Sequence, residues 1–209
     1  MMMSDPLRKL SLTAHVVSSV GWLGALAVFL AHSLASWSHD LQVVRAAALA
    51  MALTAWFVIL PLSLTSLLTG LIHAFGSTWG LLRHYWVLFK LLLTVLATSV
   101  LLMKLEPISE LARAAVETGF PSPNLVGLQT SLVVHAGGGL LVLLGATTLA
   151  IYKPVGVTPW GRRKLSQAHS GLPRWVMIFG IACFLTLMLV ILMLLGGEHG
   201  PTAHLRQQH

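Results

Sequence analysis

Five apolar stretches fill most of this 209-residue chain, and each is long enough to cross a bilayer. At 1.5 Å per residue, about 20 residues of helix cover ~30 Å of hydrocarbon. Inside hydrocarbon every backbone N–H and C=O needs an internal partner, which only helices and closed barrels supply. Strand-like alternation is absent, so the expectation is an all-α, polytopic bundle of five transmembrane helices. The spans are read at residues 12–35, 46–75, 85–103, 128–152 and 173–195. A hydrophobic content of 56% with only 9% charged residues fits that class.

The second span is overlong and carries Pro61, which removes a backbone donor and predicts a kink. Pro173 suits the first turn of the fifth. The fourth holds Gly137, Gly138, Gly139 and Gly145, small enough for a helix or flat cofactor to approach the backbone, with Gly138 the candidate cofactor contact. Between the third and fourth spans, residues 107–120 place Ile108, Leu111, Ala112 and Ala115 at helical spacing among Glu106, Glu110, Arg113 and Glu117. That pattern predicts a short amphipathic helix on the outer surface. No linker divides the chain, so residues 1–196 are read as one membrane domain and 197–209 as a short polar tail.

Arg8 and Lys9 precede the first apolar run as in a signal peptide, but the run is too long and lacks a small-x-small cleavage site. A retained helix is expected. With five spans, Arg8, Lys9, Arg83, Lys153, Arg162, Arg163, Lys164 and Arg174 share the N-terminal side, and Arg45, Lys104, Arg113 and Arg206 the other. The basic excess places the N-terminus inside and the C-terminus outside a bacterial cytoplasmic membrane. The net charge of +7 follows from this topology. The run Arg162-Arg163-Lys164 is read as an anchor on anionic headgroups, and no nucleic-acid partner is expected. The lone Cys183 permits no intrachain disulfide and is read as a small hydrophobe.

An ionisable group within the bilayer is costly and marks a functional candidate. The candidates are His15, His32, His73, His84, His135 and Lys90. No Asp or Glu lies within a predicted span, which weakens a proton-pump or cation-antiporter reading. His15, His73 and His84 gather toward the inner edge, whereas His32 and His135 lie toward the outer one. Two imidazoles at one depth, with small residues nearby, are what a bis-histidine haem b site needs. His15, His73, His84 and His135 are the candidate metal-binding imidazoles, with His32 the candidate partner of His135. His15 and His32 are roughly 25 Å apart along a helix but point roughly 100° apart, a poor match to one haem-lining face. The bland alternative is that a histidine near a span end snorkels or bonds a carbonyl, and it suits His32, His73 and His84 best. His15 shares a face with Trp22, and Gly138 and Gly139 follow His135 on its own side. Thr65, Thr69 and His73 form a polar row that lines a cavity or knits helices. Lys90 either snorkels to the interface or meets an anionic group such as a haem propionate or a quinone oxygen.

The run His15-Val-Val-Ser-Ser-Val-Gly-Trp22-Leu-Gly24 resembles a common opening of small bacterial membrane proteins. With Tyr85-Trp86-Val-Leu-Phe-Lys90, Val134-His135-Ala136 and Ile151-Tyr152-Lys153-Pro154-Val155-Gly156, it resembles a family of integral membrane proteins known only as a domain of unknown function. That resemblance covers most of the chain and implies topology. The His…Trp-Leu-Gly start is also similar, more weakly, to the copper-resistance D family. A His with a Trp seven residues on, and a later Lys after a Trp, is similar to HemJ-type protoporphyrinogen oxidases, which bind haem b. By that resemblance His15 and Lys90 are the positions to watch. His32 does not align with the histidine that closes the first span of those oxidases. Met177, Met188 and Met193 lack the paired partners that copper transport favours.

Three readings follow. The first is a redox-linked haem b protein working with quinone or porphyrin. The second is a non-enzymatic accessory subunit of a larger membrane complex or homo-oligomer. The third is a copper or small-solute transporter, ranked last because few polar residues lie at mid-depth.

Overall fold

The computed structural model describes residues 4–76, 84–117, 125–154 and 156–158, together with Arg174, Met177, Ile178, Ile181 and Met188. Helices α1 (Asp5–Ala35), α2 (Leu41–Thr54), α3 (Leu60–Gly76), α4 (Tyr85–Val116) and α5 (Leu125–Tyr152) follow in order, with a π turn at Ala55–Ile59 joining α2 to α3. Four segments are long and apolar enough to cross a membrane: α1, the joined α2–α3, α4 and α5. They correspond to the first four predicted spans. Of the fifth, only Arg174 and the four apolar residues named above are described; all five are helical, and the rest of that span, the basic run at 162–164 and the tail lie outside the described residues. The chain divides at residue 168, and the account below concerns the first unit.

Local chemistry accounts for the helix ends. Asp5 and Pro6 open α1, and Arg8 pairs with Asp5 at 3.2 Å. Asp40 caps α2 by accepting the Gln42 N–H at 2.8 Å. Pro61 has no N–H and its ring opposes the carbonyl of Phe57, four residues back. The chain answers with a π turn rather than a bare kink: the Leu60 N–H bonds to Ala55 O, five residues back. Widening the turn moves the opposed carbonyl aside.

Among the described residues, the segment from 107 to 116 does not form the separate surface helix expected. α4 runs unbroken for 32 residues through Pro107. The apolar face assigned to a lipid surface, namely Ile108, Leu111, Ala112 and Ala115, is buried and continues the stripe begun by Leu105. It packs against α2. Burial of this face offsets the roughly 3 kcal/mol an interior proline costs. Trp56 Nε1 adds a hydrogen bond to Ser109 Oγ at 2.9 Å. Arg113 and Glu106, among the charged residues of that pattern, pair with each other at 2.6 Å.

The core is formed by Trp22, Phe29, Met51, Ile59, Leu105, Leu111, Leu132 and Leu143. Outward faces are apolar as well: Phe57, Leu141 and Ile151 are each at least 70% exposed. Such a surface suits lipid and would be a liability in water. α1 and α3 approach closely where Gly21 lies 3.3 Å, by its missing Cβ, from a Leu62 methyl. α1 and α5 run antiparallel, with Gln129 Nε2 donating to Ser36 O at 2.9 Å and Gly139 against Leu26.

Candidate functional site

One polar cluster joins α1, α3 and α4 inside the predicted spans. His15 is only 8% exposed. Its Nδ1 lies 3.0 Å from the Ser66 carbonyl oxygen and 3.3 Å from Thr69 Oγ1. A carbonyl oxygen only accepts, so Nδ1 carries the proton and Nε2 holds the lone pair. Lys90 Nζ donates to that Nε2 at 2.8 Å. The network thus assigns a neutral imidazole held at both ends.

Helix packing places each member. A helical carbonyl already accepts the N–H four residues on, and a side chain at that later position ordinarily crowds it. At Ser66 the later residue is Gly70. A Cβ there would stand 3.0 Å from His15 Cε1 and 3.3 Å from Nδ1. The missing side chain is what lets the ring reach the Ser66 carbonyl. Ser19 and Ser66 share a 2.8 Å hydroxyl–hydroxyl bond alongside, and Thr69 donates to Thr65 O at 2.6 Å. On α3, Ser63, Ser66, Gly70 and His73 form the row toward α1; of the Thr65–Thr69–His73 row expected, Thr69 reaches His15 and His73 lines the cavity, whereas Thr65 is exposed.

Beside this cluster is a cavity of about 520 Å³ between α1, α3, α4 and α5. That volume falls in the range of small-molecule sites, about 300–1,000 Å³. Its walls are mostly apolar, with Trp22 and Trp86 among the lining residues. Its ionisable lining groups are His15, His73, Lys90 and Lys153; among the described residues no carboxylate lines it. Lys90 has three donors, of which His15 takes one.

Lys153 closes α5 with φ 42°, in the left-handed region. Its N–H bonds to Leu149 O at 3.1 Å, the single bond of a left-handed helix cap. Glycine ordinarily fills that place, and another L-residue costs about 1–2 kcal/mol. The chain beyond it folds back on the start of α4: Tyr85 N–H donates to Gly156 O at 3.3 Å, and His84 pairs with Val157 as an isolated bridge.

The other candidates separate. His73 lines the cavity, and its buried Nδ1 has no hydrogen-bond partner. His84 caps α4 in extended backbone and is not among the lining residues. His135 lies elsewhere: the α1–α5 register sets it level with Leu30, about 22 Å along α1 from His15. There its Nδ1 donates to Ser131 O at 2.6 Å, Lys104 Nζ donates to Ser131 Oγ at 3.2 Å, and the His135 Nε2 is buried without a partner. His32, also with an unpartnered buried nitrogen, has no hydrogen bond to His135. Gly138 does not line the cavity, and neither Gly138 nor Gly145 has an atom of the described residues within 4 Å of an added Cβ; the close approach on α5 is at Gly139.

Among the described residues no group of three or more His, Cys, Asp or Glu is placed to hold a metal ion. Axial ligation of haem b by His15 does not fit its hydrogen bonding, because both ring nitrogens are engaged. His73 is the cavity imidazole with a nitrogen to spare. Ser66 and Gly70 were missed from sequence, although the row of small residues at Ser63, Ser66 and Gly70 is visible in it. Comparison with family models, curated proteins and solved structures returns no match for this chain.

Proposed function

We propose that this chain is a multi-pass protein of the bacterial cytoplasmic membrane, N-terminus inside and C-terminus outside, that holds a flat lipophilic redox ligand, a quinone or a porphyrin such as haem b, in the His15–Lys90 cavity. The observation that carries this reading is the 2.8 Å Lys90–His15 bond at the wall of an apolar cavity. An amine is costly at that depth, and a hydrogen bond to a neutral imidazole does not balance its charge. A ligand oxygen facing Lys90 would take its remaining donors, and the two tryptophans would stack on a planar body. His15 would hold the amine at the cavity wall, through its own bonds to Ser66 and Thr69. The similarity of the first and third spans to HemJ-type oxidases supports the same two residues. For an iron-bearing ring, His73 is the cavity-lining imidazole with an unpartnered nitrogen, although that Nδ1 is buried and the ring would have to turn to meet a metal.

The test is the visible spectrum of detergent-purified protein, with solvent extraction and mass spectrometry of what it carries. A Soret band or a co-purified quinone, lost in Lys90→Met, is the expected result. Colourless protein without a bound quinone, whose tryptophan fluorescence neither compound quenches on addition, would overturn the reading and favour an accessory subunit.

A further inference from the structure

We propose that Lys153 is a clamp for an acidic group on the ligand of this cavity, so that the ligand is an anion with a lipophilic body. This rests on the cavity being a ligand site. Two independent features meet at Lys153. It lines the cavity at the end of α5, and its backbone is in the left-handed conformation that glycine adopts without steric cost. Non-glycine residues persist in such conformations where the surrounding structure holds them, and they cluster at ligand clamps. Here the left-handed turn carries the chain back onto α4, where Gly156 and Val157 pair with Tyr85 and His84. A simple helix stop at this position would use glycine; here a lysine lines the cavity instead.

The charges agree. Lys90 and Lys153 face the same space with His15 and His73, and no carboxylate of the described residues joins them. A neutral quinone would satisfy hydrogen-bond donors but leave the half-buried Lys90 ammonium without a counter-charge. A carboxylate or phosphate on the ligand would supply one, with Lys153 at the exposed rim and Lys90 deeper.

Lys153→Gly tests the role with little risk to the fold, because glycine suits the left-handed backbone. Binding is read by quenching of tryptophan fluorescence with two acid–ester pairs: deuteroporphyrin with its dimethyl ester, and dibromostearate with its methyl ester. In the wild-type protein the acid of at least one pair should bind about tenfold more tightly than its ester. The pair that does so identifies a ring or an acyl chain as the body. In Lys153→Gly that preference should fall toward one while thermal unfolding occurs at no lower temperature, and Lys153→Arg should restore it. An ester that binds as well as its acid, or a preference unchanged in Lys153→Gly, would overturn the clamp while leaving a ligand cavity in place. Failure of all four compounds to bind would overturn the clamp, while the quinone test above decides separately whether a ligand cavity remains.

Discussion

Gly70→Ala offers a sharp test of the His15 arrangement, because two effects of opposite sign meet there. In a helix interior alanine is favoured over glycine by about 1 kcal/mol. Against this, the new Cβ would stand 3.0 Å from His15 Cε1 and 3.3 Å from Nδ1. Ordinary contact needs about half an ångström more, so the ring must retreat. It is held by Ser66 O at 3.0 Å and Lys90 Nζ at 2.8 Å, and retreat strains or breaks at least the first bond. A buried donor left unsatisfied costs about 1–3 kcal/mol. The net change should lie between neutrality and about 2 kcal/mol of destabilisation. In a His15→Ala background the clash vanishes, and Gly70→Ala should stabilise by about 1 kcal/mol. The double-mutant cycle therefore predicts a coupling of about 1–3 kcal/mol, equal to the lost bond. Unfolding in mixed micelles, followed by tryptophan fluorescence, measures it. Equal stabilisation by Gly70→Ala in both backgrounds would show that the ring does not rest on Gly70.

The unbroken α4 makes two further predictions. Pro107→Ala should stabilise the protein by up to about 3 kcal/mol, because it restores an interior helix bond; a loss of stability would instead indicate a helix starting at Pro107. Leu111→Ala, at a side chain 0% exposed, should cost about 2–5 kcal/mol in the same assay, whereas a lipid-facing residue would cost far less. For topology, reporter fusions after Gly161 and after Gln208 should report the inner and outer sides respectively; both on one side would refute an odd number of spans.

The apolar runs dictated spanning helices whatever the tertiary packing, since hydrocarbon leaves a backbone no other way to satisfy its polar groups. Depth was equally legible, because it follows from residue count along a helix: His15, His73 and Lys90 were recognisable as groups near one edge, and His135 as belonging to another. Rotation about each helix was not legible, since nearly every face here is apolar and periodicity carries little signal. Hence Ser66 and Gly70, not Thr65, turned out to face His15. The Lys90–His15 bond spans 75 residues of sequence, and only the meeting of α1, α3 and α4 creates it. The end of α4 misled in a different way. An amphipathic stripe states that one side seeks apolar surroundings but not whether lipid or another helix supplies them, and α2 was the answer. Lys153 likewise reads as one more inner-side basic residue until the backbone shows its left-handed turn, which depends on where the chain must go next rather than on the residue itself.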